Sequence, residues 1–335
     1  MEKKINLLYN FLYNTTFDNC FVIDKIKLGR IILDDIKLTD EKEINEHIEE
    51  LNKAKFSYMD YTDSLIYIKR YSDSYNVTIK IGSYSNDIND MSNPCNNDAL
   101  FSYLLSQLVL NKKTTHILLP IVNFDVPFNK IKNLIKNIPI YKSLEEKIEF
   151  NEIKNIFSIR VREHYSKSKL LHEYLSNNAC LYKPLLFQII HTLAVIQKEF
   201  PGFRHNNLNT ENILIYLKKE NDLEYEFDGN KWIIPNFGFD IKITNFENSV
   251  LPNYYGISTQ RDTNIPYITE KNEYFDLHFF LNLFIDKKYK MEKTTKPSCE
   301  IDTNKFLDKV IPKQFRGAKD GSFYLNKNVV VVRPE

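Results

Sequence analysis

The stretch Pro201-Gly202-Phe203-Arg204-His205-Asn206-Asn207-Leu208-Asn209-Thr210-Glu211-Asn212-Ile213-Leu214 decides how this chain is read. Before it, Leu185, Leu186, Ile189, Ile190, Leu193, Ala194 and Ile196 recur at helical spacing around most of a circumference. That pattern predicts a buried helix, ended by Pro201-Gly202. After it, the apolar run 213–217 predicts a strand. Residues 204–212 are therefore a polar loop held between two buried elements, the setting in which rigid scaffolds place chemistry-bearing side chains.

Working outward, three further stretches combine a regular element with a polar residue at its end. Val77-Thr78-Ile79-Lys80 is a strand ending in a lysine. Lys242-Ile243-Thr244-Asn245-Phe246-Glu247 is a strand running into a loop, and Phe275-Asp276-Leu277-His278 opens an apolar helix over 274–284. Alternating apolar residues predict strands at 56–61, 65–71 and 77–81, joined by Thr62-Asp63-Ser64 and Ser72-Asp73-Ser74. Polar residues 83–98 read as a loop, 100–110 as a helix, 116–122 and 157–162 as strands, and 169–175 as a short helix. Asp228-Gly229 between 224–227 and 231–234 signals a hairpin, and 241–244 a further strand. Strands first, then helices with small hairpins, give an α+β chain.

Residues 1–54 read as an extension. It has helical spacing at Leu7, Leu8, Phe11 and Leu12, strand-like runs at 21–28 and 31–36, and an Asp40/Glu43 capping pair. The lysine-rich stretch 287–296 reads as a solvated segment, and Val329-Val330-Val331-Val332 as an edge strand or docking tail.

Composition removes several function classes. The 45 basic and 44 acidic groups leave a net charge of +1, no footprint for nucleic acid as the primary partner. No apolar run approaches the roughly 20 residues of a membrane span. Cys20, Cys95, Cys180 and Cys299 form no CxxC pair, so they read as reduced thiols and not as a disulfide framework or zinc site. The chain has only 8 glycines, where average usage gives about 23. No two lie closer than Gly317 and Gly321, which excludes every phosphate-cradling glycine loop in its standard form.

In this order and context the four stretches resemble the protein-kinase superfamily, most closely the divergent kinase-like proteins of nucleocytoplasmic large DNA viruses. The resemblance covers roughly residues 56–317. It implies a two-lobed α+β fold: a small antiparallel sheet-rich N-lobe over 55–165 and a mainly helical, abbreviated C-lobe over 166–335, whose usual helices beyond the equivalent of 312–317 are missing. By the same resemblance Lys80 is the lysine that meets nucleotide phosphates, with Asp98 as its acidic partner, one methylene shorter than the family's glutamate. Asp98 can equally be read as an N-cap. Glu163 falls in the hinge that receives adenine, or is a solvated edge charge. His205 braces the catalytic loop, Asn212 ligates magnesium, and Asp276 caps the loop backbone.

The departures from the family decide the expected activity. Asn207 stands where the family has its catalytic aspartate, and Asn245 where it has the metal-binding aspartate of the DFG motif. An amide accepts a hydrogen bond but has no basicity near pH 7, so base assistance of ~10²–10⁴-fold is forfeited. It is also a weaker ligand than a carboxylate for a hard cation. The turn Tyr61-Thr62-Asp63-Ser64 replaces the glycine loop and carries a negative charge. ATP and magnesium binding are therefore expected to be weak or absent. The reading is a pseudokinase acting through viral or host proteins, in the host cytoplasm or packaged in the virion. Two alternatives stand beside it. One is an active atypical serine/threonine kinase in which Glu211 or Glu247 supplies a carboxylate. The other is a virion structural or other non-kinase interaction protein.

Overall fold

The computed structural model describes residues 31–32, 56–61, 64–71, 75–88, 90, 93–136, 140–165, 168–175, 182–217, 222–235, 238–251 and 275–285. The expectations for residues 1–54 other than 31–32, for Thr62-Asp63, for 72–74 and for everything beyond 285 lie outside these residues. The chain forms two compact units: residues 1–106 with 118–166, and residues 107–117 with 167–335.

The first unit is built on one six-stranded sheet. Its strands are β1 (Ile31–Ile32), β2 (Phe56–Tyr61), β3 (Ser64–Tyr71), β4 (Tyr75–Ser83), β5 (Pro120–Pro127) and β6 (Ile156–Glu163), in the order β1-β5-β6-β4-β3-β2. All neighbours are antiparallel except β1 and β5, which run parallel with Ile31 opposite Phe124. Thus part of the stretch read as an extension joins this sheet. The strand expected at 116–122 starts later, at Pro120. Helix α1 (Pro94–Leu110) starts six residues before the expected helix, and α2 (Phe128–Ile135) and α3 (Tyr141–Glu149) were not foreseen.

Along β4, Ile79 and Ile81 are buried on one face, and the period of two places Lys80 and Gly82 on the other. Helix α1 approaches that second face closely. A methyl group at Gly82 would run into Sγ of Cys95 and the guanidinium of Arg160.

The second unit contains β7 (Lys169–Leu170), α4 (Leu171–Leu175), α5 (Tyr182–Glu199), β8 (Ile213–Leu217), β9 (Leu223–Phe227), β10 (Asn230–Ile234), β11 (Phe239–Ile243) and α6 (Phe275–Ile285). Strands β11, β8 and β7 form an antiparallel sheet in that order, and β9 and β10 form the hairpin. Asp228 and Gly229 both take positive φ at its turn, which matches the right-handed twist of the flanking strands.

Residues 114–117 are tied to β11. Ile117 bridges Ile243, and the Ile243 N–H donates to the His116 carbonyl at 2.8 Å. The His116 ring lies between Asp240, with Nδ1 3.2 Å from Oδ1, and the Tyr225 hydroxyl, 2.9 Å from Nε2. Tyr216 donates to the other Asp240 oxygen at 3.0 Å, and the buried Lys242 ammonium donates to the carbonyls of Thr115 and Ile117.

His191 on α5 packs edge-on against Tyr225 at 4.8 Å and donates from Nε2 to the Glu226 carbonyl at 3.2 Å. Burial holds its imidazole below the ordinary value, opposed by that hydrogen bond and reinforced by nearby His116. A base whose folded-state pKa is depressed costs nothing while neutral in both states. Stability is therefore intact above about pH 6.5 and falls as the pH drops toward the folded value. His191→Phe, which keeps the ring packing, is expected to flatten the decline below about pH 6.5, read as Tm against pH.

Candidate functional site

The loop 204–212 is fixed from three directions within the second unit. Asp276, in the first turn of α6, is buried and accepts from two loop N–H groups: His205 N at 2.6 Å on one oxygen and Asn206 N at 2.9 Å on the other. Burial pushes its carboxyl above the usual range, opposed by His205, by these two N–H groups and by Arg204. The His205 ring nitrogen Nε2 lies 3.0 Å from the Thr244 carbonyl and donates to it, and the ring packs on Phe246 at 5.2 Å. Arg204 exchanges backbone hydrogen bonds with Val250 at 2.8 and 2.9 Å.

This pinning demands unusual backbone geometry. Asn206 has φ of 59° and Asn245 of 67°. Asparagine is among the few non-glycine residues that adopt the left-handed region readily, so an Asn-rich loop suits this conformation in a glycine-poor chain.

The side chains of Asn207, Asn209, Asn212 and Asn245 form a connected amide set. Asn207 Oδ1 accepts from Asn209 Nδ2 at 3.0 Å. The Asn207 carbonyl accepts from Asn212 Nδ2 at 2.7 Å. Asn209 Oδ1 accepts from the N–H groups of Glu211 and Asn212 at 2.9 and 3.1 Å. Asn245 Nδ2 then donates to Asn212 Oδ1 at 2.9 Å, and Thr244 N donates to the Asn212 carbonyl at 3.0 Å. The amide orientations follow from chemistry. A carbonyl only accepts, so Asn212 must turn Nδ2 toward Asn207 and Oδ1 toward Asn245, which must donate.

Asn212 and Asn245 face each other as acceptor and donor, so only one of the two turns an oxygen toward the point between them. Among the described residues no group of three or more His, Cys, Asp or Glu is placed to hold a metal ion.

In the first unit, Lys80 on β4 and Asp98 on α1 come together, with Nζ 3.8 Å from Oδ2. Asp98 is the fifth residue of α1, so the N-cap reading of it is set aside. The same oxygen also receives Arg160 Nη1 at 2.5 Å and Arg162 Nη2, both from β6. Arg160 lies directly opposite Lys80 and Arg162 opposite Thr78 in the β4–β6 register. Glu163 is buried, which removes the solvated-charge reading. Its carboxylate accepts from Leu119 N at 2.9 Å and the Tyr165 hydroxyl at 2.8 Å.

The structure thus brings His205, Asn207, Asn212 and Asn245 into one cluster with Asp276, and Lys80 with Asp98 in the other unit. Glu163 shares a strand with the arginines, but its carboxylate is held at the start of β5. Sequence reasoning missed Arg160 and Arg162. The available signal was their i, i+2 spacing, which puts two cations on one face of a strand. Lys80 sits on the third strand of a consecutive antiparallel run, followed by the helix bearing its acidic partner, the arrangement of a protein-kinase-like α+β fold.

No family model matches the chain. It is 27% identical over 284 residues to the "Putative serine/threonine-protein kinase R400" of Acanthamoeba polyphaga mimivirus, covering 76% of this chain and 59% of that protein. The same virus's "Uncharacterized protein R402" is 28% identical over 75% of this chain and 29% of its own length. Its "Putative serine/threonine-protein kinase R301" is 34% identical over 38% of this chain and 34% of that one. The chain therefore spans less than two thirds of each of these relatives. Among solved structures, the Rio2 kinase of Chaetomium thermophilum aligns over 79% of this chain and 65% of its own, with 13% identity and a TM-score of 0.39. Among the described residues no helix is long and apolar enough to cross a membrane.

Proposed function

We propose that this chain, a divergent protein-kinase-like protein of the kind encoded by large DNA viruses, keeps the kinase loop scaffold without phosphoryl transfer and acts by binding viral or host proteins. One observation carries the reading. The side chains at the family's two aspartate positions, Asn207 and Asn245, are neutral amides engaged with other loop amides. Phosphoryl transfer relies on positioning and on charge placed where negative charge gathers. Neither amide can take a proton from a substrate hydroxyl or neutralise a bridging cation.

The retained Lys80–Asp98 pair favours the alternative of a slow atypical kinase using ATP. One assay separates the two. Purified chain is incubated with radiolabelled ATP, magnesium or manganese, and generic protein substrates, with Lys80→Met as the control. No label above that control is expected. Label transfer that Lys80→Met abolishes would overturn the reading. The doubly substituted Asn207→Asp/Asn245→Asp chain is expected to gain turnover where the native chain has none.

A further inference from the structure

We infer that the Asn245 amide is a built-in substitute for a divalent cation. Its N–H holds the segment after β11 onto the loop 207–212, so the loop keeps its conformation without metal. The inference rests on the reading above only for the comparison with a metal-bearing kinase loop. Its test uses no phosphate-transfer readout, so the two fail separately.

The argument is one of donors and acceptors. Asn212 is oriented by its Nδ2 bond to the Asn207 carbonyl, which leaves Oδ1 facing Asn245. The group opposite Oδ1 must be positive or a donor. In a metal-bearing loop that group would be the cation, with oxygens converging on it from both sides. Here Asn245 Nδ2 lies directly against the oxygen at 2.9 Å. The contact is supported on both sides. Asn245 follows Thr244, whose N–H and carbonyl bond Asn212 and His205 respectively, and Phe246 packs on the His205 ring. Asn245 makes this contact from a positive φ of 67°, a conformation asparagine adopts more readily than most residues.

The two asparagines should therefore respond differently to becoming aspartate. Asn207 uses its oxygen as an acceptor, so Asn207→Asp keeps its bond from Asn209. Asn245→Asp would set a carboxylate oxygen against the Asn212 oxygen in place of the N–H donor that now meets it. A divalent cation in that gap would then stabilise the fold by binding the native state alone.

The test is thermal unfolding in EDTA and in millimolar magnesium or manganese, with paramagnetic line broadening by manganese as the binding readout. The native chain and Asn207→Asp are expected to melt at the same temperature with and without metal, and to show no manganese broadening. Asn245→Asp is expected to melt several degrees lower in EDTA and to recover with metal. Asn245→Ala is expected to melt lower and not to recover. The inference is overturned if the native chain binds manganese at the loop, if Asn245→Asp or Asn245→Ala is as stable as the native chain in EDTA, or if metal fails to restore Asn245→Asp.

Discussion

Asp276→Ala is expected to unfold in urea with a loss of about 2–5 kcal/mol, the largest effect among substitutions in the second unit. Its carboxylate is the acceptor for two buried backbone donors, His205 N and Asn206 N. A buried donor left without an acceptor costs about 1–3 kcal/mol. Relief of burying a carboxylate, which already pushes its pKa upward, offsets part of this. Asp276→Asn should be intermediate, at about 1–3 kcal/mol, because its oxygen can serve one donor while its NH2 faces the other. Hydrogen exchange at the two amides should rise in the same order. Equal stability of all three chains would show that the loop is not held from α6.

Arg160→Met is expected to cost about 3–5 kcal/mol, the usual range for breaking a buried ion pair from one side. Lys80→Met should cost less than Arg160→Met, since its Nζ lies farther from the shared carboxylate oxygen. Both cations reach the same Asp98 oxygen, but Arg160 does so at 2.5 Å and is fully buried, whereas Lys80 stands off at 3.8 Å. Urea unfolding of the two variants measures the difference. A reversed order would mean that Lys80, and not the arginine, anchors α1 through Asp98. If the order holds, Lys80→Met is a stable control for the labelling assay.

Much of this architecture is legible in the residue pattern alone. The helix over 182–199, the strands around Lys80 and the hairpin at Asp228-Gly229 are local patterns, and tertiary packing agrees with them. The loop bearing His205, Asn207 and Asn212 was legible because it is bracketed by two buried elements. The start of α1 was not, because Asn93, Asn96, Asn97 and Asp98 are residue types that favour turns. Two of them are consumed internally: Asn93 bonds the carbonyls of Asp87 and Asp90, and Asn96 those of Ile88 and Asp90. Helices α2 and α3 are amphipathic but only 8 and 9 residues long, so each offers little more than two turns of pattern to read. Strand β5 carries Asn123 and Asp125 on a buried face, which interrupts the apolar pattern. The double-arginine clasp was invisible for a related reason. Pattern reading sends charges to solvent, and only the register of β4 against β6 with Asp98 above them turns these inward.

The return of residues 114–117 to β11 sets a rule for dissecting the protein. A fragment starting at Lys167 would contain β7 to β11 and α4 to α6, yet it would lack His116 beside Asp240 and the carbonyls that receive Lys242. A carboxylate and an ammonium, both sequestered from water, would each lose a neighbour in the strand that leads to Asn245. Severing the chain once at position 166 therefore yields no self-sufficient half. Any truncation meant to isolate the asparagine loop must carry the short upstream segment along, grafted or co-expressed.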